Sequence, residues 1–236
     1  MLAQKVERDS PELTQEELAS LREFTFRQLG NPQFALPALR KLATSASVVA
    51  LTLMLDHWPT FLSDLVAFMQ ASVHTVKAGL LVMGCVAEQL KSNNRIRHNI
   101  KVQCKQHLLE QGALMNSFFE NALGINDNSV VELGIEAIEN WIKIGFLLLK
   151  STKIVGQVLE LIGRDQESFL FTGCKLLVSG LEVGARDKFQ TLSIIDFEEE
   201  MKGYDGEERS SLSLLVGHLR NNKPDLLAAI SHNRDT

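Results

Sequence analysis

The sequence predicts an all-α protein, an α-α superhelix built as a solenoid of stacked antiparallel helix pairs. Three observations carry that expectation. Apolar residues recur at helical spacing through almost the whole chain, with strand-like alternation nearly absent. Turn residues punctuate the pattern at near-regular intervals. Several of the apolar segments are too apolar all round for a helix with a single buried stripe, as expected when each is held between neighbours on more than one side.

The elements follow in order. Ser10 and Pro11 can open the first helix, with a hydroxyl cap, a proline in the first turn and the acids Glu12, Glu16 and Glu17 at the positive helix end. It carries Leu13, Leu18, Leu21 and Phe24 and stops at Gly30, Asn31 and Pro32. A second helix is expected over residues 32–56. Pro59, after His57 and Trp58, opens a third, holding Phe61, Leu62, Leu65, Val66 and Met69. A fourth spans residues 73–90 and breaks at Ser92, Asn93 and Asn94. A single long fifth helix is expected over 96–123, ending in the turn from Gly124 to Asn128. Asn128 or Ser129 can cap the sixth, which carries Val130, Leu133, Ile138, Trp141, Ile142 and Phe146. A seventh covers 153–162 and stops at Gly163; an eighth covers 167–183. Beyond Phe189 the signal weakens: Glu198, Glu199 and Glu200 begin an acidic loop, and two short helices are expected near 211–220 and 224–230.

Short turns place successive helices antiparallel and adjacent. Taken in pairs they form units at 32–70, 73–123, 130–162 and from 167 onward, near the roughly 40-residue period of HEAT or armadillo repeats. The expected domain is therefore one repeat array over residues 1–236, right-handed and curved, with 189–236 as C-terminal helices after the acidic loop.

Composition narrows the function. The 236 residues are 45% hydrophobic and 22% charged, a balance that folds. Twelve Phe against one Tyr and two Trp suit a dry interior better than a wet pocket. A formal net charge of −5 supplies no global basic field, so no direct nucleic-acid partner is expected. The first ten residues lack the apolar core of a signal peptide. The longest uncharged run, the 14 residues 42–55, is too short for a span, so no membrane is expected either. Cys85, Cys104 and Cys174 lie far apart and read as reduced, buried thiols of a cytosolic or nuclear protein.

No constellation for catalysis or metal binding emerges. Cys104 and His107 share a helical face, but two ligands without a second pair make no zinc site. His57 beside Asp56 has no nucleophile motif with it, and glycine-rich phosphate loops and paired-histidine metal motifs are missing. Glu198 to Glu200 read as a solvated loop rather than a chelate. Gly79, Gly84, Gly134, Gly145 and Gly173 fall inside expected helices, where they let neighbours approach. No cofactor, no metal and no catalytic residue are therefore expected. Arg97, Lys101 and Lys105, four apart with Arg95 and His98 nearby, line one side of the fifth helix. They read either as a solvated face or as a docking stripe for an acidic partner surface.

Three stretches within residues 16–183 carry a family resemblance: residues 18–23 (LASLRE) with Leu29; residues 47–55 (SVVALTLML) leading to 58–66 (WPTFLSDLV); and residues 140–145 (NWIKIG), ahead of Val155 to Ile162 and the small-residue helix around Cys174. Their order and spacing resemble the N-terminal repeats of importin-β (karyopherin-β) nuclear transport receptors, nearest the transportin-SR branch. Members are several times longer, so the chain is expected to be a piece of such a receptor or a shortened relative. The resemblance implies protein partners: the small GTPase Ran in its GTP-bound form, cargo proteins and FG-repeat nucleoporins, met in cytoplasm and nucleus. It further implies that helices near 12–29, 58–70 and 96–123 form the inner, partner-facing row. Glu16, Glu23, Asp64, Arg97, Lys101 and Lys105 are then the contact candidates. A helical-repeat scaffold or adaptor outside nuclear traffic is the alternative, and an all-helical enzyme a more distant one.

Overall fold

The computed structural model describes residues 14–148 and 151–163, and beyond them residues 172–173, 175–177 and 179–180. Among the described residues every regular element is helical: α1 (Gln15–Leu29), α2 (Leu36–Leu53), α3 (Phe61–Met69), α4 (Val73–Ser92), α5 (His98–Glu110), α6 (Gly112–Leu123), α7 (Asn128–Ile142) and α8 (Thr152–Gly163). The chain divides into two compact units, Met1–Ile144 and Gly145–Thr236.

Local chemistry explains where these helices start and stop, and it corrects several expectations. The described part of α1 begins at a capping box: Thr14 Oγ1 accepts from the Glu17 amide at 3.3 Å, and Glu17 Oε2 accepts from the Thr14 amide at 2.8 Å. The expected cap at Ser10 and Pro11 lies outside the described residues. The second helix starts at Leu36 rather than at 32, because Pro32 and Gln33 belong to a turn in which Asn31 Oδ1 accepts from the Gln33 amide. Pro37 occupies its first turn instead. Its end comes at Leu53 rather than 56, where the Leu53 carbonyl accepts from both His57 and Trp58. The expected long fifth helix is two, α5 and α6, parted at Gln111 (φ −86°, ψ 29°), with Gly112 next to it. Asp127, rather than Asn128 or Ser129, caps α7: its Oδ1 accepts from the amides of Ser129 and Val130 at 2.9 and 3.1 Å. α7 ends at Ile142, so Phe146 follows the helix. Gly145 is not helical but turns the chain at φ 105°, a conformation that favours glycine.

In the first unit the helices form two rows. α4 packs against α2 on one side and α7 on the other, while α3 packs against α4 and α6, α6 against α7, and α1 against α2. Among helices consecutive in the chain, α1 packs with α2, α3 with α4 and α6 with α7, a helix-on-helix packing consistent with a HEAT-like region. α4 is the most enclosed helix, with twelve buried residues from Thr75 to Leu90 spread around its circumference. A Cβ added at Gly79 would lie 2.5 Å from Met69 Cγ and Sδ, so the glycine is what lets α3 come this close to α4.

Two tryptophans pin the rows. Trp141 of α7 is 0% exposed, and its Nε1–H donates to the Met83 carbonyl of α4 at 3.0 Å, which leaves its one polar atom satisfied. Trp58 lies at the α1–α3 seam, edge-on to Phe26 and to Phe61, while Phe26 also stacks on Phe68 at 5.0 Å. The Phe-rich interior foreseen from composition holds for Phe61, Phe118, Phe119 and Phe146, but Phe24 is 40% exposed with the Arg27 guanidinium over its ring. α2 is long and apolar enough to cross a membrane, yet it packs against α1 and α4 and buries Leu39, Val49, Leu51 and Leu53.

In the second unit α8 buries Ile154, Val155, Val158, Leu159, Leu161 and Ile162. Residues 172–173, 175–177 and 179–180 are helical, Leu176 and Leu177 are buried, and a Cβ at Gly173 would meet Ile162 at 2.7 Å. The expected helices of 189–236 lie outside the described residues, as does Cys174.

Candidate functional site

The six contact candidates fall on three helices of the row formed by α1, α3 and α5–α6. On α1, Glu16 and Glu23 are both exposed, seven residues apart and so on one face, together with Ala19, Ser20 and Arg27. That face is not needed for packing: α1 buries Leu18, Thr25 and Leu29 on its other side.

Asp64 in the first turn of α3 has a different position from the one foreseen. It is half-buried, and its Oδ2 accepts from Trp58 Nε1 at 2.7 Å and from Thr60 Oγ1 at 2.9 Å. The carboxylate holds the indole that closes the α1–α3 seam. A charged acceptor is well matched to a buried N–H that would otherwise be left unpaired.

Arg97 is the N-cap residue of α5 and exposed, whereas Lys101 and Lys105 are half-buried. The reason is the register. Residues 101, 104, 105 and 108 share one helical face, and Cys104 and Leu108 are the two residues that α5 buries. The lysines therefore border the packed seam of α5, half-buried beside Cys104 and Leu108 on the same face. Among the described residues no hydrogen bond or ion pair joins any two of the six candidates. They mark faces of successive helices rather than one pocket.

The remaining candidates resolve as packing. Cys85 and Cys104 are free thiols, half-buried and buried respectively. Burial, aided by the charge of Asp56, pushes the Cys104 thiol up to about 11, and its Sγ–H points to the Leu51 carbonyl at 3.6 Å. Burial also raises Cys85. Both therefore stay protonated near neutral pH, unlike reactive thiolates. His107 Nε2 lies 3.1 Å from the Pro59 carbonyl, tying α5 to the turn before α3. Among the described residues no group of three His, Cys, Asp or Glu side chains could hold a metal.

Two polar links escaped the sequence. Arg40 of α2 meets Glu136 of α7 through two bonds of 2.9 Å, across 96 residues of chain, beside Cys85 of the intervening α4. Lys77 of α4 pairs with the cap of α7, its Nζ 3.1 Å from Asp127 Oδ2. The hydrogen bonds of Ser129, with Lys77 next, hold the Asp127 carboxyl down at about 2. No spacing rule could foretell either contact, since each depends on which helices stack.

The described helices form two packed rows with exposed polar faces, and their thiols and several carboxylates are committed to packing, caps and seams. The chain matches the Exportin 1-like protein family over residues 37–168, more than half its length and the span from α2 through α8. It belongs to that family, the N-terminal region of importin-β-type receptors, whose members carry proteins between nucleus and cytoplasm and are not enzymes. No curated protein matches the chain.

Proposed function

We propose that the chain is the Ran-binding N-terminal part of a nuclear transport receptor, with cargo proteins and FG-repeat nucleoporins as further partners in cytoplasm and nucleus. The observation that carries this reading is the family match over residues 37–168, which coincides with the two-row packing of α2 to α7. In this reading the row of α1, α3 and α5–α6 faces Ran. Glu16 and Glu23 supply exposed acids from α1, while Arg97, Lys101 and Lys105 supply a basic border on α5. Asp64 acts through Trp58, holding the α1–α3 seam that sets the two ends of this surface. The branch is that of transportin-SR, from the resemblance of residues 47–66 and 140–145, and the array extends through 1–236.

Immobilised chain tests the reading against Ran loaded with a non-hydrolysable GTP analogue or with GDP. Capture of the GTP form with at least a tenfold preference is expected. Equal capture of both forms, or of neither, removes Ran from the account and leaves a helical scaffold of the same family.

A further inference from the structure

The first unit also holds an open groove of about 420 Å³ between the C-terminal turn of α2 and the outer side of α5. Its apolar wall is Leu51 and Leu55 on α2 and the turn after it, facing Ile100 on α5. Its rim carries Asp56 on one side and Glu110 on the other, both exposed, with the exposed amides of Gln103 and Gln106 between. Among the described residues no lysine or arginine lines it, and His107 does. Lys101 and Lys105 leave α5 on the side of Cys104 and Leu108, away from the groove-lining positions 103, 106 and 110.

The full charges on the groove lining are the carboxylates of Asp56 and Glu110, with the imidazole of His107 beside them, its Nε2 3.1 Å from the Pro59 carbonyl. Glu110 Oε1 accepts from Gln106 Nε2 at 2.9 Å, while its Oε2 makes no hydrogen bond among the described residues. α2 ends beside these two carboxylates, adding the negative end of the helix dipole. Asp56 is close enough to reinforce the upward push on the Cys104 thiol behind the groove wall. The volume lies within the range of roughly 300–1,000 Å³ typical of ligand sites, yet the groove is open and its rim polar, which suits a chain segment better than an enclosed small molecule.

We propose that this groove docks a short basic peptide segment of a protein partner, one or two aliphatic side chains entering between Leu55 and Ile100 and flanking Lys or Arg side chains meeting Asp56 and Glu110. The apolar wall contributes affinity through burial, and the rim carboxylates select charge and speed the encounter. This proposal does not rest on the Ran reading, because it concerns a different face of the unit and a peptide alone.

The test is fluorescence polarisation of the chain with a labelled twelve-residue peptide holding two leucines four apart among lysines and serines. An acidic peptide with glutamate in place of lysine runs beside it. Asp56→Asn with Glu110→Gln should weaken the basic peptide about three- to tenfold, the loss expected of two exposed charge pairs, and the difference should shrink as salt rises. Leu55→Ala should weaken it at every salt concentration. Glu132→Gln, an exposed acid on α7 outside the groove, should change nothing. Circular dichroism melts of each variant confirm that the fold is retained. The proposal fails if the basic peptide does not bind at millimolar concentration, if the acidic peptide binds equally, or if Asp56→Asn with Glu110→Gln binds like the parent.

Discussion

Single residues decide how the helices hold each other, and Trp141 is the clearest case. Its spacing among Ile138, Ile142 and the apolar positions of the sixth segment already marked it as interior; what spacing could not supply was its partner, the Met83 carbonyl. Trp141→Ala removes the largest side chain of the α4–α7 seam and leaves that carbonyl without its indole donor. A loss of about 3–5 kcal/mol is expected, read from urea unfolding. An unchanged midpoint would mean that the seam does not hold the unit together. Asp127 offers a test by pH. Its folded value of about 2 lies below the ordinary 3.8, so the unfolded chain binds more protons in the window between them. The stability that this carboxylate contributes is therefore complete above about pH 4 and is lost as pH falls toward 2. Asp127→Asn keeps an acceptor for the Ser129 and Val130 amides but drops the charge facing Lys77. The gap in unfolding midpoint between the parent and this variant should be widest near pH 6 and close by pH 2–3. A gap constant with pH would show that the carboxylate's charge contributes nothing.

At the scale of helices, strong local signals were legible and their edges were not. Gly30 ended its helix where the residues said it should, because cap and breaker chemistry acts within a few positions. The long fifth segment failed for the opposite reason. Residues 96–123 contain no proline and only Gly112 as a weak breaker, so periodicity ran straight through Gln111. The chain parts there as α6 settles against α3 and α7 while α5 packs its Cys104 on α2. The basic border of α5 was likewise visible as a stripe, yet only the packed position of Cys104 and Leu108 reveals that Lys101 and Lys105 flank a seam. Lys101→Glu with Lys105→Glu should slow association with GTP-loaded Ran, with the effect fading at high salt and dissociation little changed. Their half-burial beside that seam also predicts a small stability loss from this double change, at most about 1 kcal/mol. Association kinetics identical to the parent would make the stripe a solvated face.

For the molecule as a whole, the helical class could be read from periodicity and turn spacing, since local pattern constrains it; which helices pack together could not, because α1 meets α2, α3 meets α4 and α6 meets α7. The proposed partner-facing surface rests, in the sequence, on helix order alone. Asp64 was legible as a polar residue on α3, but its bond to Trp58 requires knowing that the indole turns back over the helix start. The Arg40–Glu136 pair and the groove beside Asp56 depend on stacking across long sequence separations, which periodicity does not encode. The central claim is that the row of α1, α3 and α5–α6 is the face that receives Ran. Hydrogen exchange of the chain, measured alone and with GTP-loaded Ran, tests it most directly. Slowed exchange is expected in α1, α3 and α5, with α2, α4 and α7 unchanged. Protection centred on α2, α4 and α7, or no protection anywhere, would contradict the assignment.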